Sequence, residues 1–132
     1  VSKSTITIAY FTPAFDLATA SASAASLYRD FWRELGQSFA ANVMEVSPDA
    51  NVDELVCSLR AKPVVAHPNG KVPLHQFRHP RGRAIYLFGP EDRRMDSDVL
   101  TRFQSVRIPT PTTHPLWGPI AAGVVLQDRR KR

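Results

Sequence analysis

The sequence predicts an α/β domain, a mostly parallel sheet flanked by helices. Three observations carry this expectation. Ala84 to Phe88 is an unbroken apolar run without alternation, the pattern of a strand buried on both faces. Short β-branched runs recur along the chain with helical patterns between them, which is the order of βαβ units. The central run stops abruptly at Gly89-Pro90, with Glu91 and Asp92 just beyond. In open α/β sheets ligands bind outside the carboxyl ends of the strands. A core strand followed by an ordinary acidic turn reads equally well from these residues alone.

Taken in order, Thr5-Ile-Thr-Ile-Ala-Tyr10 alternates and runs into Phe11, and Thr12-Pro13 ends this first strand. Residues 14–26 are mostly small and lead into a helix whose apolar positions are Ala20, Ala24, Leu27, Phe31, Leu35 and Phe39. Their helical spacing places them on one face. Asp16 or Thr19 is the candidate cap, and the helix is expected to end near Gly36 or a turn later. Tyr28 and Trp32 extend the same face and read as core or dimer contacts rather than base-stacking platforms.

Residues 42–47 form the second strand, closed by Pro48. Asn51 opens a short helix over residues 52–60, with Val52, Leu55, Val56 and Leu59 on one side and Cys57 read as a small buried residue. Val64 to Ala66 is the third strand, His67-Pro-Asn-Gly-Lys71 a turn, and residues 72–80 a loop. After the central strand, Asp96-Ser-Asp98 can cap a short helix through Phe103. Ser105 to Ile108 is the fifth strand, which Pro109 stops. Prolines 109, 111 and 115 make the next segment a stiff loop. The last helix runs from about Leu116 or Pro119 to the end. Ala121, Ala122 and Gly123 allow close packing, and Arg129, Arg130 and Lys131 complement the helix dipole.

At 132 residues and 43% hydrophobic content, residues 1–132 are expected to form one domain with a real core. No apolar run approaches the roughly 20 residues of a membrane span. Val1-Ser-Lys-Ser shows no charged-then-apolar leader pattern. Cys57 is the single cysteine, so no internal disulfide forms. The expectation is a cytoplasmic protein.

The net charge of +5 and pI of about 9.9 favour polyanionic partners. The basic residues cluster at Arg78, His79, Arg81 and Arg83, at Arg93 and Arg94, and from Arg129 to Arg132. The three clusters are expected around one site, with RNA or another phosphate-bearing partner. His67, His75, His79 and His114 lack the spacing of a helical metal site, so no metal is expected. No phosphate-binding P-loop, dinucleotide fingerprint or serine-hydrolase elbow occurs.

Phe77-Arg-His-Pro80 followed by Arg83-Ala-Ile-Tyr-Leu-Phe-Gly-Pro-Glu-Asp92 resembles the central motif of the SpoU/TrmH group of SPOUT RNA methyltransferases. Val106-Arg-Ile-Pro-Thr110 and Ala121-Ala-Gly-Val-Val-Leu-Gln-Asp-Arg129 resemble the group's last motif, in the same order and at a similar distance. The resemblance extends from about Lys62 to the end. It implies a C-terminal trefoil knot, here about residues 83–132, and a homodimer packed through it. It also implies S-adenosylmethionine as cofactor, held by Leu87, Phe88, Gly89, Glu91, Ile108, Pro109 and Leu116. The implied activity is methylation of a ribose 2′-hydroxyl of tRNA or rRNA. Phosphate contacts would come from Arg78, Arg81, Arg83, Arg129, Arg130 and Lys131.

Three departures stand out. The group's first motif places an Asn and then an Arg just after strand one, and residues 14–26 hold neither. Arg93-Arg94 replaces the usual Gly-Ser, and Pro115-Leu116-Trp117 replaces the final Ser/Asn slot. Arg29, Arg93 and Arg94 are therefore the candidate catalytic groups of a divergent methyltransferase. The alternatives are a catalytically silent RNA-binding or ribonucleoprotein factor and an α/β small-molecule binder.

Overall fold

A computed structural model describes residues 5–12, 22–47, 49–89, 101–112 and 114–131. The elements are β1 (Ile6–Phe11), α1 (Ala22–Ser38), β2 (Asn42–Val46), α2 (Val52–Leu59), β3 (Lys62–Ala66), β4 (Val72–Pro73), β5 (Ala84–Phe88), β6 (Gln104–Arg107) and α3 (Gly118–Lys131). The strands form a six-stranded sheet in the order β2-β1-β5-β3-β6-β4. Every pairing is parallel. All carboxyl ends therefore lie along one edge.

The central position of β5 explains its sequence. Tyr86 is registered with Ile8 on one side and Val64 on the other. All five residues of the strand are buried. Alternate side chains point to opposite faces, and each face meets its own helix layer. Ile8, Tyr10, Val64, Tyr86, Phe88 and Val106 pack with Tyr28 and Trp32 of α1 and with Ala122, Val125 and Leu126 of α3. Ala9, Phe11, Val65, Ile85 and Leu87 pack on the other face with Val52, Leu55, Val56 and Leu59 of α2.

Local signals fix the helix ends. The Asn51 side chain accepts a hydrogen bond from the Glu54 N–H at 3.2 Å, capping α2. Arg60, with φ of 51°, closes it in the left-handed region. The Val43 side chain of β2 packs against the α1 backbone at Gly36. A Cβ there would sit 2.3 Å from Val43 Cγ2, so a side chain at this position would displace Val43.

Three expectations need correction. The buried face of α1 is set by Tyr28 and Trp32, whereas Leu27 and Phe31 are 58% and 45% exposed. One residue advances a helix by about 100°, and the large aromatics took the inward phase. Cys57 is exposed, because it follows inward-facing Val56 by one position. Residues 72–80 are not all loop. Val72 and Pro73 pair with Val106 and Arg107 as an edge strand, where proline is tolerated, and Leu74–Gln76 forms one 3-10 turn. The candidate caps Asp16, Thr19, Asp96 and Asp98 lie outside the described residues.

Candidate functional site

The carboxyl edge of the sheet collects the sequence-predicted cofactor residues. Leu87 and Phe88 end β5 and are buried, and Gly89 follows half-exposed. Ile108 and Pro109 follow β6 in the same way. Ala66 at the end of β3 is registered with both Phe88 and Val106. Phe88 and Val106 are thus two strand spacings apart, about 10 Å, with only a small side chain between them. Leu116 is exposed, just before α3. Glu91, Arg93 and Arg94 lie outside the described residues.

An aromatic group stands beside this edge. The Trp32 ring stacks on Tyr10 at 4.9 Å between centroids and meets Phe88 at 5.3 Å. The Trp32 Nε1–H is buried and has no hydrogen-bond partner among the described residues. Such orphan donors are rare in folded proteins.

Arg29 reaches the same edge but is engaged. Its Nε donates to Glu45 Oε1 at 2.7 Å and its second guanidinium nitrogen to Glu45 Oε2 at 3.3 Å. Glu45 also accepts from the Tyr10 hydroxyl at 3.0 Å and from the Thr12 hydroxyl at 2.9 Å. Hydrogen bonds from Arg29, outweighing desolvation, hold the Glu45 carboxyl below its usual range. Burial and then Glu45 itself push the Tyr10 phenol well above its ordinary value.

The first and last basic clusters stand away from this edge, so the expected gathering around one site fails for these two, while Arg93-Arg94 lies outside the described residues. The Arg83 carbonyl accepts from Lys62 N, and Ala84 N donates to Thr5 O. Arg83 therefore stands at the strands' starts, opposite Gly89. A five-residue strand separates these edges by about 16 Å. The parallel sheet imposes this separation, since β5 itself runs between Arg83 and Gly89. Arg83 donates to Leu59 O at 3.4 Å, while Arg78, Arg81, Arg130 and Lys131 are exposed.

Arg129 is directed into the protein. It donates to Pro80 O at 2.7 Å, to the Tyr86 hydroxyl at 3.0 Å and to Gly82 O at 3.2 Å. Beside it, His79 Nδ1 lies 2.8 Å from the Tyr86 hydroxyl, and His79 Nε2 lies 2.7 Å from Asp128 Oδ2. Sequence reasoning missed this cluster. Its only signal was that Arg-His-Pro and Asp-Arg each belong to a motif carrying the resemblance. No group of three or more His, Cys, Asp or Glu suited to a metal ion occurs among the described residues. Nor is any described helix long and apolar enough to cross a membrane.

The architecture can now be compared with known proteins. No family model matches the chain, and no curated protein matches it in sequence. Solved structures share its fold. A structure concerned with the 2-OH methylation of C/U34 on tRNA gives a TM-score of 0.72 at 16% identity, over 96% of this chain and 89% of its own. A Porphyromonas gingivalis structure assigned to the TrmH family of RNA methyltransferases gives 0.66 at 15% identity, over 95% and 59%. An A. aeolicus TrmH/SpoU tRNA-modifying enzyme gives 0.56 at 15% identity, over 96% and 60%. The chain thus has the fold of the SpoU/TrmH group, agreeing with the motif resemblance, and spans about three fifths of the last two structures.

Proposed function

We propose that the chain is an S-adenosylmethionine-dependent RNA methyltransferase acting on a ribose 2′-hydroxyl of tRNA or rRNA. One observation carries the reading: the fold likeness to the structure concerned with 2-OH methylation on tRNA, over 96% of this chain. The carboxyl edge supports it. Phe88, Ala66 and Ile108 supply an apolar rim about 10 Å wide, and the unpartnered Trp32 indole N–H beside Phe88 suits a ligand with an acceptor. Leu87, Phe88, Gly89, Glu91, Ile108, Pro109 and Leu116 would hold the cofactor, which supplies the methyl group. Arg93 and Arg94 would stand next to it in sequence and orient the ribose. The exposed arginines at the opposite edge would bind phosphates. The proposal includes a single domain knotted over about residues 83–132, a homodimer and a cytoplasmic location.

A second reading, the catalytically silent RNA-binding or ribonucleoprotein factor, has one observation in its favour. Both carboxylate oxygens of Glu45 engage Arg29, so the candidate activator is neutralised in place. Calorimetric titration with S-adenosylmethionine, followed by labelled methyl transfer to bulk RNA, separates the readings. Cofactor binding with transfer supports the enzyme. RNA binding with neither supports the silent factor. Absence of RNA binding, transfer and cofactor binding would leave a small-molecule binder and overturn both.

A further inference from the structure

The sheet edge formed by β4 and β6 carries a depression that takes in Arg78, already a candidate phosphate contact, and that the cofactor reading does not use. It has a volume of about 440 Å³, within the range of about 300–1,000 Å³ common for small-molecule sites. Lys71, Arg78 and Arg102 line it together with the side-chain amides Gln76 and Gln104. Among the described residues, no carboxylate is in the lining. Arg102 pairs with Asp53, which stands outside the lining.

The frame of this depression is fastened tightly. Lys71 N donates to the buried Ser105 hydroxyl at 2.8 Å. Arg107 donates to the Gly70 and Lys71 carbonyls at 3.0 and 3.1 Å. A Cβ on Gly70 would lie 2.5 Å from the Val106 backbone, so the turn is pressed directly onto β6. Lys71 Nζ donates to Thr101 O at 2.9 Å, which aims the ammonium along the rim. Arg102 lies over the Phe103 ring, 5.1 Å from its centroid. Cations held in place before binding lose little freedom when an anion arrives. The depression is also near the starts of the strands, the edge where Arg83 stands.

The geometry points to a binding pocket for one phosphate-bearing nucleotide, with the phosphate on Lys71, Arg78 and Arg102 and the base edge within reach of the Gln76 and Gln104 amides. Paired donor and acceptor groups on an amide suit the edge of a base. The nucleotide is either free or a unit of a bound RNA strand. The second source rests on the RNA reading above; the pocket's own chemistry does not.

The test is a two-dimensional amide NMR titration of the full chain with cytidine 5′-monophosphate, with cytidine, and with a six-nucleotide oligoribonucleotide. The monophosphate should shift the Lys71, Gln104 and Ser105 amides, and cytidine should not. Arg78→Ala, an exposed position, should weaken monophosphate binding about tenfold, the loss of roughly one charge-assisted contact. Lys71→Gln should do the same. Saturation with monophosphate should displace the oligonucleotide from these amides if the nucleotide belongs to RNA. Oligonucleotide absent everywhere, with the monophosphate still bound, marks a free-nucleotide pocket and counts against the RNA reading alone. Oligonucleotide bound elsewhere while these amides stay silent to both probes overturns the pocket and leaves the RNA reading standing.

Discussion

The Nε2 atom of His79 lies 2.7 Å from Asp128 Oδ2, joining residues that stand 49 positions apart. The pair extends into a hydrogen-bonded chain: His79 Nδ1 lies 2.8 Å from the Tyr86 hydroxyl, whose oxygen accepts from Arg129. This chain bolts α3 to the loop entering β5. The His79 and Asp128 side chains are 5% and 19% exposed, so the contact is sheltered from solvent.

Removing a link should therefore cost more than a surface ion pair would. Tyr86→Phe takes away the hydroxyl that bonds His79 and accepts from Arg129 while preserving the ring. It should lower unfolding free energy by about 1–3 kcal/mol, read from urea denaturation. Asp128→Ala should cost a similar amount. The double variant should lose less than the sum, because both act on one network. Strict additivity would show that the groups are not coupled.

Arg29 and Glu45 invite a test with two readouts. The pair is about one-third exposed, so Arg29→Lys should change stability by less than about 1 kcal/mol. If Arg29 activates the ribose hydroxyl, the same change should reduce methyl transfer at least about tenfold with cofactor affinity unaltered. Glu45→Gln should then raise transfer by releasing the guanidinium. Transfer indifferent to both variants would make the pair structural and leave Arg93 and Arg94 as the candidates.

Five of the six strands were legible from the sequence because each carried its own burial pattern and its own stop, whereas two-residue β4, with Pro73, carried neither. The five-residue apolar run of β5 and the capping Asn51 needed no tertiary information. The phase of α1 was not legible. Leu27-Tyr28 and Phe31-Trp32 offer two apolar faces one residue apart, and only packing against Tyr10 and Phe88 selects the second. The exposed position of Cys57 was readable, since it falls off the stripe of Val52, Leu55, Val56 and Leu59; residue type outweighed phase. At the candidate site, the place of Leu87, Phe88 and Gly89 at the carboxyl edge followed from the central strand and its stop. The separation of Arg83 from Gly89 followed from strand direction, which charge clustering ignores. The His79–Asp128 link lay beyond any spacing rule.

His67 gives a pH dependence whose sign is fixed. Its Nδ1 accepts from Asn69 N at 3.0 Å, and burial pushes the imidazole pKa below its ordinary value of 6.5. The unfolded chain therefore takes up a proton first. Below about pH 6.5 it binds more protons than the folded chain, so stability falls as pH drops through that window. The reverse change, from pH 6 to 8, should recover it. Urea midpoints for the parent and for His67→Asn should converge on acidification, because the variant lacks this proton uptake. Parallel midpoint curves would place the imidazole in solvent.

The last prediction concerns the apolar surface that the first misphased stripe left outside. Phe31 and Trp117 meet at 5.2 Å between ring centroids, edge to face. Leu27 continues this surface along α1, and Ile120 and Val124 continue it along α3. Ile120 is 53% exposed, so about half of this aliphatic residue's surface faces water. A run of apolar side chains across two packed helices marks an interaction surface. A two-fold dimer would place the same patch against its own copy. Ile120 lies between Trp117, just before α3, and Val124, so in a dimer packed through this surface Ile120→Glu would bury a charge on each copy. Sedimentation at micromolar concentration should show a dimer for the parent and a monomer for this variant. Both should have the same helical content, because the position touches solvent in the monomer. A parent that sediments as a monomer would rule out the dimer. A variant that stays dimeric would move the interface away from α3.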